Sequence, residues 1–312
     1  MRVVFLGSPE FALPTLEALA SRYTLVGVLT QPDRPAGRGR ALASPPVKQA
    51  ALRLGVPILQ PLRLRAPEAT AALAAWNPDL IVVAAYGQIL RADVLSLPAR
   101  GCLNIHASLL PRWRGAAPVP AAIRAGDPQT GITVMKMDAG MDTGPILARK
   151  PTPIAPEETA GSVLARLATL GAALLLETLP AYLAGALEPV PQDEAQATYA
   201  PLLRKEDGRL DFSRPAEELE RRVRAHDPWP GTFLEWNGRR LAVLRASVSD
   251  APGAAIGAVT RRGTFPAIGT ARGLLVLDLV QPAGRQPVSG DAFLRGTPGF
   301  ANARVKPMAG DP

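Results

Sequence analysis

Residues 1–30, MRVVFLGSPEFALPTLEALASRYTLVGVLT, decide the fold. Residues 3–6 are an unbroken apolar run of strand length, stopped by Gly7-Ser8-Pro9. From Glu10 to Ala20 the pattern changes, and Phe11, Leu16 and Leu19 fall near helical spacing. Residues 25–30 return to a strand pattern. A strand, a helix and a strand in so short a stretch imply a parallel pair joined by a right-handed crossover. The chain is therefore predicted to begin an α/β domain with a mostly parallel sheet and helices on both faces. The first turn lacks the Gly-x-Gly-x-x-Gly pattern, which argues against a nicotinamide site.

Working outward, residues 31–46 form a Gly/Pro/Arg loop, long for an α/β connection. Helices are predicted over 45–54, 66–76, 88–97, 116–125 and 159–183. Strands are predicted over 56–59, 80–85, 102–106, 130–137 and 145–149. The character changes near residue 188. Pro189, Pro191 and Pro201 with scattered charge make 188–207 read as a linker. Beyond it come a short helix at 215–226 and brief strands at 231–236, 240–247, 255–261, 265–270 and 274–281. Gly and Pro separate them, which predicts a small closed β-barrel. The expected organisation is a catalytic domain over 1–187, a linker over 188–207 and a barrel domain over 208–312.

Composition bounds the function. With 47% apolar residues the chain can bury a sizeable core, so a disordered protein is excluded. One Cys and two His exclude a disulfide framework and a thiolate metal cluster, so no metal is expected. The opening apolar run is too short for a signal peptide. Residues 163–187 come nearest to a membrane span, but Arg166 and Glu177 interrupt them. A cytoplasmic protein is expected, and a monomer, because no exposed apolar helix stripe is evident. The net charge is +8. Two stretches concentrate it: 33–48, with Arg34, Arg38, Arg40 and Lys48 against Asp33, and 221–245, with six Arg against Asp227 and Glu235. Either can be a solvated surface, or a patch facing a polyanion.

Two segments carry chemistry. In Asn104-Ile105-His106, strand alternation puts Asn104 and His106 on one side, at the carboxyl end of a predicted parallel strand, where open α/β sheets bind ligands. In Asp138-Ala139-Gly140-Met141-Asp142-Thr143-Gly144-Pro145, glycines permit a tight turn that presents a carboxylate. An Asn, a His and an Asp suit attack on a carbonyl. The amide can donate to a developing oxyanion and the imidazole can relay a proton. The carboxylate can hold the imidazole or accept a proton from an amine. Cys102 shares the parity of Asn104 and His106 but lies in an apolar strand, which disfavours a nucleophile. His226 reads as a surface or domain-junction residue.

These residues resemble the methionyl-tRNA formyltransferases, a folate-dependent formyltransferase family. The resemblance rests on VVFLGSPEF at 3–11, TQPDRPAGRG at 30–39, NIHASLLPRWRGAAP at 104–118, DAGMDTGP at 138–145 and DPWPG at 227–231. It spans essentially the whole chain, most loosely around 285–300. It implies a Rossmann-like catalytic domain and a C-terminal barrel of the oligonucleotide-binding type. It also implies transfer of the formyl group of 10-formyltetrahydrofolate to the α-amino group of methionyl initiator tRNA. Asn104 and His106 would stabilise the formyl oxygen, and Asp142 would orient His106 and help take the amine proton. Folate would lie along Tyr86, Gly87, Gln88, Ile89 and Ser108, Leu109, Leu110, Pro111, Arg112. The tRNA would meet Arg34, Arg38, Arg40 and Lys48 in the loop, and Arg221, Arg222, Arg224, Arg239 and Arg240 on the barrel. Relatives that formylate small amines, a formate-releasing hydrolase and a plain RNA-binding protein are the alternatives.

Overall fold

A computed structural model describes residues 1–36, 41–251 and 254–305. It divides into two compact units. The first comprises Met1–Pro118, Gln129–Pro153 and Val163–Ala200, and the second Val119–Pro128, Ile154–Ser162 and Pro201–Pro312. Of the stretch expected to be a linker, residues 188–200 thus belong to the first unit and 201–207 to the second.

The strands of the first unit are β1 (Arg2–Gly7), β2 (Thr24–Leu29), β3 (Arg34–Ala36), β4 (Ala41–Ala43), β5 (Ile58–Leu59), β6 (Leu80–Ala84), β7 (Cys102–His106), β8 (Arg114–Gly115), β9 (Gln129–Lys136), β10 (Ile146–Pro153) and β11 (Tyr199–Ala200). Seven of them form one sheet in the order β10-β9-β7-β6-β1-β2-β5. The five from β7 to β5 are parallel, and β9 is antiparallel to both its neighbours. Strand β6 is wholly buried and β1 is buried from Val3 onward, which explains their continuous apolar runs. The chain order reverses at β1, with β2 on one side and β6 on the other. Ligands of open α/β sheets bind at such a switch point, outside the carboxyl ends of the strands.

Helix starts follow the prolines. Helices α1 (Leu13–Arg22), α2 (Pro46–Arg53) and α3 (Pro67–Ala75) each have proline in the first two positions, where no intrahelical N–H bond is lost. The helix expected over 88–97 shrinks to α4 (Ala92–Leu95). Residues ahead of it are held otherwise: Gln88 Oε1 accepts from Leu64 N at 2.6 Å and its Nε2 donates to Pro61 O at 3.0 Å. Helix α5 (Pro118–Ala125), which from Val119 on belongs to the second unit, is followed by α6 (Ala160–Leu183). On length and composition α6 could cross a membrane. Here Val163, Leu167, Leu175 and Leu179 are buried, and a Cβ added at Gly171 would meet Ile105 at 2.8 Å, as for a core helix.

The second unit contains α7 (Ala216–Ala225), α8 (Gly290–Gly296) and strands β12 (Thr232–Trp236), β13 (Arg239–Ser249), β14 (Val259–Arg262), β15 (Phe265–Gly269), β16 (Leu274–Pro282) and β17 (Val288–Ser289). Their order is β12-β13-β16-β15-β14, with β17 on β16. Among the described residues no ladder joins β12 to β14, so the closure expected of a barrel is not part of the observed pairing. Phe300 anchors the core, edge-on to both Trp236 and Phe293 at 5.2 Å. His226 is fully buried, not at the surface.

Candidate active site

Strand β7 places Asn104 and His106 by its pairing. Asn104 lies beside Val83 of β6 and Met135 of β9, and His106 beside Thr133. The alternation expected from the sequence therefore holds, since both side chains reach the same carboxylate. Asn104 Nδ2 donates to Asp142 Oδ1 at 3.3 Å, and His106 Nδ1 stands 3.7 Å from Asp142 Oδ2. His106 Nε2 lies 2.9 Å from the Trp113 carbonyl. A carbonyl only accepts, so Nε2 carries a proton there, and Nδ1 is the ring atom left to face Asp142. His106 is 6% exposed, whereas Asn104 is half-buried, so the pair opens outward on the amide side.

Asp142 is held in the left-handed region at φ 53°. Two other non-glycine residues of this unit's ligand-facing end share that conformation, Ala85 at φ 48° and Trp113 at φ 61°. Such strain persists only where surrounding contacts enforce it. Around Asp142 those contacts are visible. Gly115 N donates to Oδ2 at 2.8 Å. Gln192 Nε2 donates to the backbone carbonyls of Asp142 at 2.8 Å and of Gly144 at 2.7 Å. Asp138 Oδ1 accepts from Gly140 N at 3.0 Å and Thr143 Oγ1 at 2.7 Å, which tightens the turn. At Gly144 a Cβ would fall 1.9 Å from the Lys136 carbonyl, so only glycine fits.

Behind the site lies a residue the sequence reading passed over. Arg114 has a fully buried side chain. Glu194 grips it with both oxygens, at 2.8 Å from Nη1 and 2.7 Å from Nη2. Gln192 Oε1 accepts from Nε at 3.1 Å and Nη2 at 2.9 Å. The guanidinium holds the Glu194 carboxyl below its usual range, and Glu194 in turn raises Arg114. The Gly115 N–H and Gln192 were also missed. Gln192 lies 50 residues from Asp142 along the chain, in a stretch that reads as connecting peptide, so no local pattern marks it.

The expected folate residues divide by exposure. Tyr86, Ser108, Leu110 and Pro111 are buried. The Tyr86 phenol has no hydrogen-bond partner, and burial raises its pKa. Its carbonyl accepts from Ser8 Oγ and Gln31 Nε2, both at 3.2 Å. Ser108 Oγ donates to Arg112 O at 2.6 Å, and Thr133 Oγ1 donates to Ser108 O at 2.7 Å. Gln88 is committed to Leu64 and Pro61. Gly87, Ile89 and Arg112 are exposed, Ile89 by 78%, and Leu109 is half-buried. Arg112 lies over the Trp113 ring at 4.5 Å. Exposed backbone and a bare apolar side chain at the end of β6 suit a flat ring with a polar edge.

The expected tRNA residues also divide. Arg38 and Arg40 lie outside the described residues. Lys48 Nζ pairs with Asp33 at 2.6 Å, and Gln60 with Lys48 holds that carboxyl below its usual range. Arg34 is exposed and donates to Gln31 Oε1 at 3.1 Å. On α7, Arg221 Nε donates to Arg124 O at 3.2 Å, and Arg224 pairs with Glu220 at 2.5 Å and donates to Glu158 O at 3.1 Å. Arg222 is partly buried, and desolvation lowers its pKa. Lys48, Arg221 and Arg224 are thus engaged inside the chain rather than spread on a bare basic face. Arg239 and Arg240 are exposed, with Arg240 over the Phe233 ring at 4.1 Å. Among the described residues no cluster of three His, Cys, Asp or Glu could hold a metal.

Comparison with known proteins covers 95% of the chain. The family model described as formyl transferase matches residues 1–179, and that described as formyl transferase, C-terminal domain, matches 202–298. The chain is 52% identical to the methionyl-tRNA formyltransferase of Roseiflexus sp. (strain RS-1) over 303 residues, 95% of this chain and 92% of the relative. It is 50% identical to that of Myxococcus xanthus (strain DK1622), covering 95% of each. The fold resembles a sugar 3N-formyl transferase, WlaRD, solved in the presence of dTDP and 5-N-formyl-THF. That match has a TM-score of 0.66 at 15% identity and covers 92% of this chain and 99% of that one. It also resembles HypX from Aquifex aeolicus in complex with tetrahydrofolic acid, with a TM-score of 0.62 at 19% identity over 94% of this chain and 47% of that one.

Proposed function

We propose a mechanism from one premise: the chain belongs to the methionyl-tRNA formyltransferase family. It transfers a formyl group from a folate carrier to methionyl-tRNA. The carrier is 10-formyltetrahydrofolate, which supplies an activated formyl carbon, and the acceptor is the α-amino group of methionine on initiator tRNA.

The observation that carries the mechanism is the convergence of Asn104, His106 and the Gly115 N–H on Asp142. One Asn104 N–H is spent on Asp142, and its second is directed to the formyl oxygen. His106 Nδ1, without a proton while Nε2 donates to the Trp113 carbonyl, stands beside the same position and donates to that oxygen once it holds the proton released by the amine. Asp142 orients both side chains and relays the proton released by the attacking amine to His106 Nδ1, directly or through one water. Collapse of the tetrahedral adduct then breaks the bond from the formyl carbon to N10, and N10 takes up that proton as tetrahydrofolate leaves. At 3.7 Å His106 and Asp142 are not hydrogen-bonded, and a proton taken up on Nδ1 supplies the donor that joins them. Cys102 takes no part, since it is buried and its thiol is pushed up to about 12 by burial. Holding two substrates in one oriented pair supplies much of the rate.

Gly87, Ile89, Leu109 and Arg112 hold the folate. Tyr86, Gln88, Ser108, Leu110 and Pro111 form the scaffold behind them. The second unit, whose sheet is read as an oligonucleotide-binding fold, contacts the tRNA backbone through Arg239 and Arg240. Arg34 and the loop arginines Arg38 and Arg40 meet its acceptor end. Phosphate contacts of this kind position the tRNA rather than read its sequence. The enzyme works as a cytoplasmic monomer. The test is incubation with labelled 10-formyltetrahydrofolate and methionyl initiator tRNA, with methionyl elongator tRNA as control. Label moves to the initiator tRNA. Label released as formate without acceptor, or passed only to a small amine, would overturn the assignment.

A further inference from the structure

We infer that Gln192 is a positioning residue for formyl transfer, holding the Asp142 turn in register with β7 through Arg114. The inference rests on the reading that Asp142 takes part in the reaction.

Four hydrogen bonds meet on one side-chain amide. Its oxygen accepts two from Arg114, and its nitrogen donates to the carbonyls of Asp142 and Gly144. The amide thereby ties three segments of the first unit: the stretch leaving β7, the Asp142 turn and the segment after α6. The last of these is docked independently. Tyr199 and Ala200 pair in parallel with Arg114 and Gly115. Arg114 N donates to Thr198 O at 2.8 Å, and Trp113 N donates to Thr198 Oγ1 at 2.9 Å. Val190 exchanges backbone hydrogen bonds with Ile146 at 2.8 Å each way.

The arrangement has a consequence for geometry. Asp142 sits at positive φ, a region uncommon for residues other than glycine. Its own oxygens point at Asn104 and Gly115, so they cannot fix the backbone behind them. Gln192 does so by binding the carbonyls on either side of Thr143. Arg114, anchored by Glu194, fixes Gln192 in turn. Residues 180–201 fall between the two stretches matched by the family models, so this contribution comes from chain that neither model covers.

Gln192→Glu separates positioning from support of Arg114. An oxygen still faces the guanidinium, but both donors to the Asp142 and Gly144 carbonyls are lost. Misplacement of a catalytic group by about 1 Å can cost about 100-fold in rate. The expected result is a kcat about 10- to 100-fold lower, with KM for folate and tRNA within about twofold, in a protein that is still folded at the assay temperature though its melting temperature is lower. Gln192→Asn, one methylene short of spanning both partners, gives the same split. Should one variant not fold, the other decides. Asp142→Asn is measured in parallel. Wild-type kcat in a folded Gln192 variant, with kcat lost in Asp142→Asn, overturns the inference and leaves the reading of Asp142 standing. Wild-type kcat in Asp142→Asn overturns that reading, and the inference with it. A raised KM at unchanged kcat assigns Gln192 to binding and also overturns it.

Discussion

Lowering the pH should weaken the second unit through one side chain. His226 is fully buried at the end of α7, and neither ring nitrogen has a hydrogen-bond partner. Burial lowers its pKa from 6.5 to about 4, with the Arg222 and Arg124 charges adding and Asp207 opposing. The helix C-terminus favours a cation, but the missing hydrogen bonds and the lost hydration outweigh it. Because the folded pKa is depressed, the unfolded chain binds the proton first. The neutral ring's contribution is intact above pH 6.5 and is lost as pH falls toward 4. At 1.36 kcal/mol per pK unit, the loss is about 2 kcal/mol by pH 5 and about 3 kcal/mol by pH 4. Urea denaturation followed by tryptophan fluorescence at about pH 7.5 and about pH 5 measures it. His226→Leu removes the titrating group without leaving a polar atom unpaired. The wild type should lose about 2 kcal/mol more than the variant over that interval. The chain has only two histidines, so an NMR titration assigns the group directly. An equal decline in both proteins, or a His226 midpoint near 6.5, would refute the reasoning.

Other outcomes follow from single contacts. Cys102 is 1% exposed and its thiol is pushed up to about 12, so a thiol reagent near pH 8 should label the chain only after denaturation. Gly115 has φ 110° and a Cβ there would fall 2.7 Å from the Ala200 carbonyl. Gly115→Ala should cost about 1–3 kcal/mol by denaturant titration and lower kcat, because the N–H on Asp142 shifts with it. Arg239→Ala with Arg240→Ala should weaken tRNA binding and make its salt dependence shallower, by a slope of about 0.9 per lost phosphate contact. An unchanged salt slope would remove these arginines from the tRNA contact.

The parts of the fold that were legible share one property, a signal within a short window. The run from Val3 to Leu6, the α1 pattern and the strand after it define a parallel pair, and β1 and β2 are that pair. Asn104 and His106 could be assigned to one side because strand alternation is a rule of backbone geometry. What was illegible depends on distant partners. The helix expected over 88–97 is cut back because Gln88 is claimed by Pro61 and Leu64, which no pattern in 88–97 records. The β3–β4 hairpin hides in a Pro/Gly/Arg loop of low strand propensity. Its base is fixed by Asp33, which binds Ser44, Lys48 and Gln60. The charge of Lys48 is visible in the sequence, but its partner Asp33, 15 residues away, is not. Gln192 looked like connecting peptide for the same reason.

Single-turnover formyl transfer by Asp142→Asn tests the central claim most directly. The substitution keeps the size of the side chain but removes its charge. It also places an amide nitrogen against either the Asn104 Nδ2 or the Gly115 N–H. With folate and methionyl-tRNA both saturating, the rate should fall by about 100- to 10,000-fold while the protein stays folded. A rate within about twofold of wild type would contradict the account.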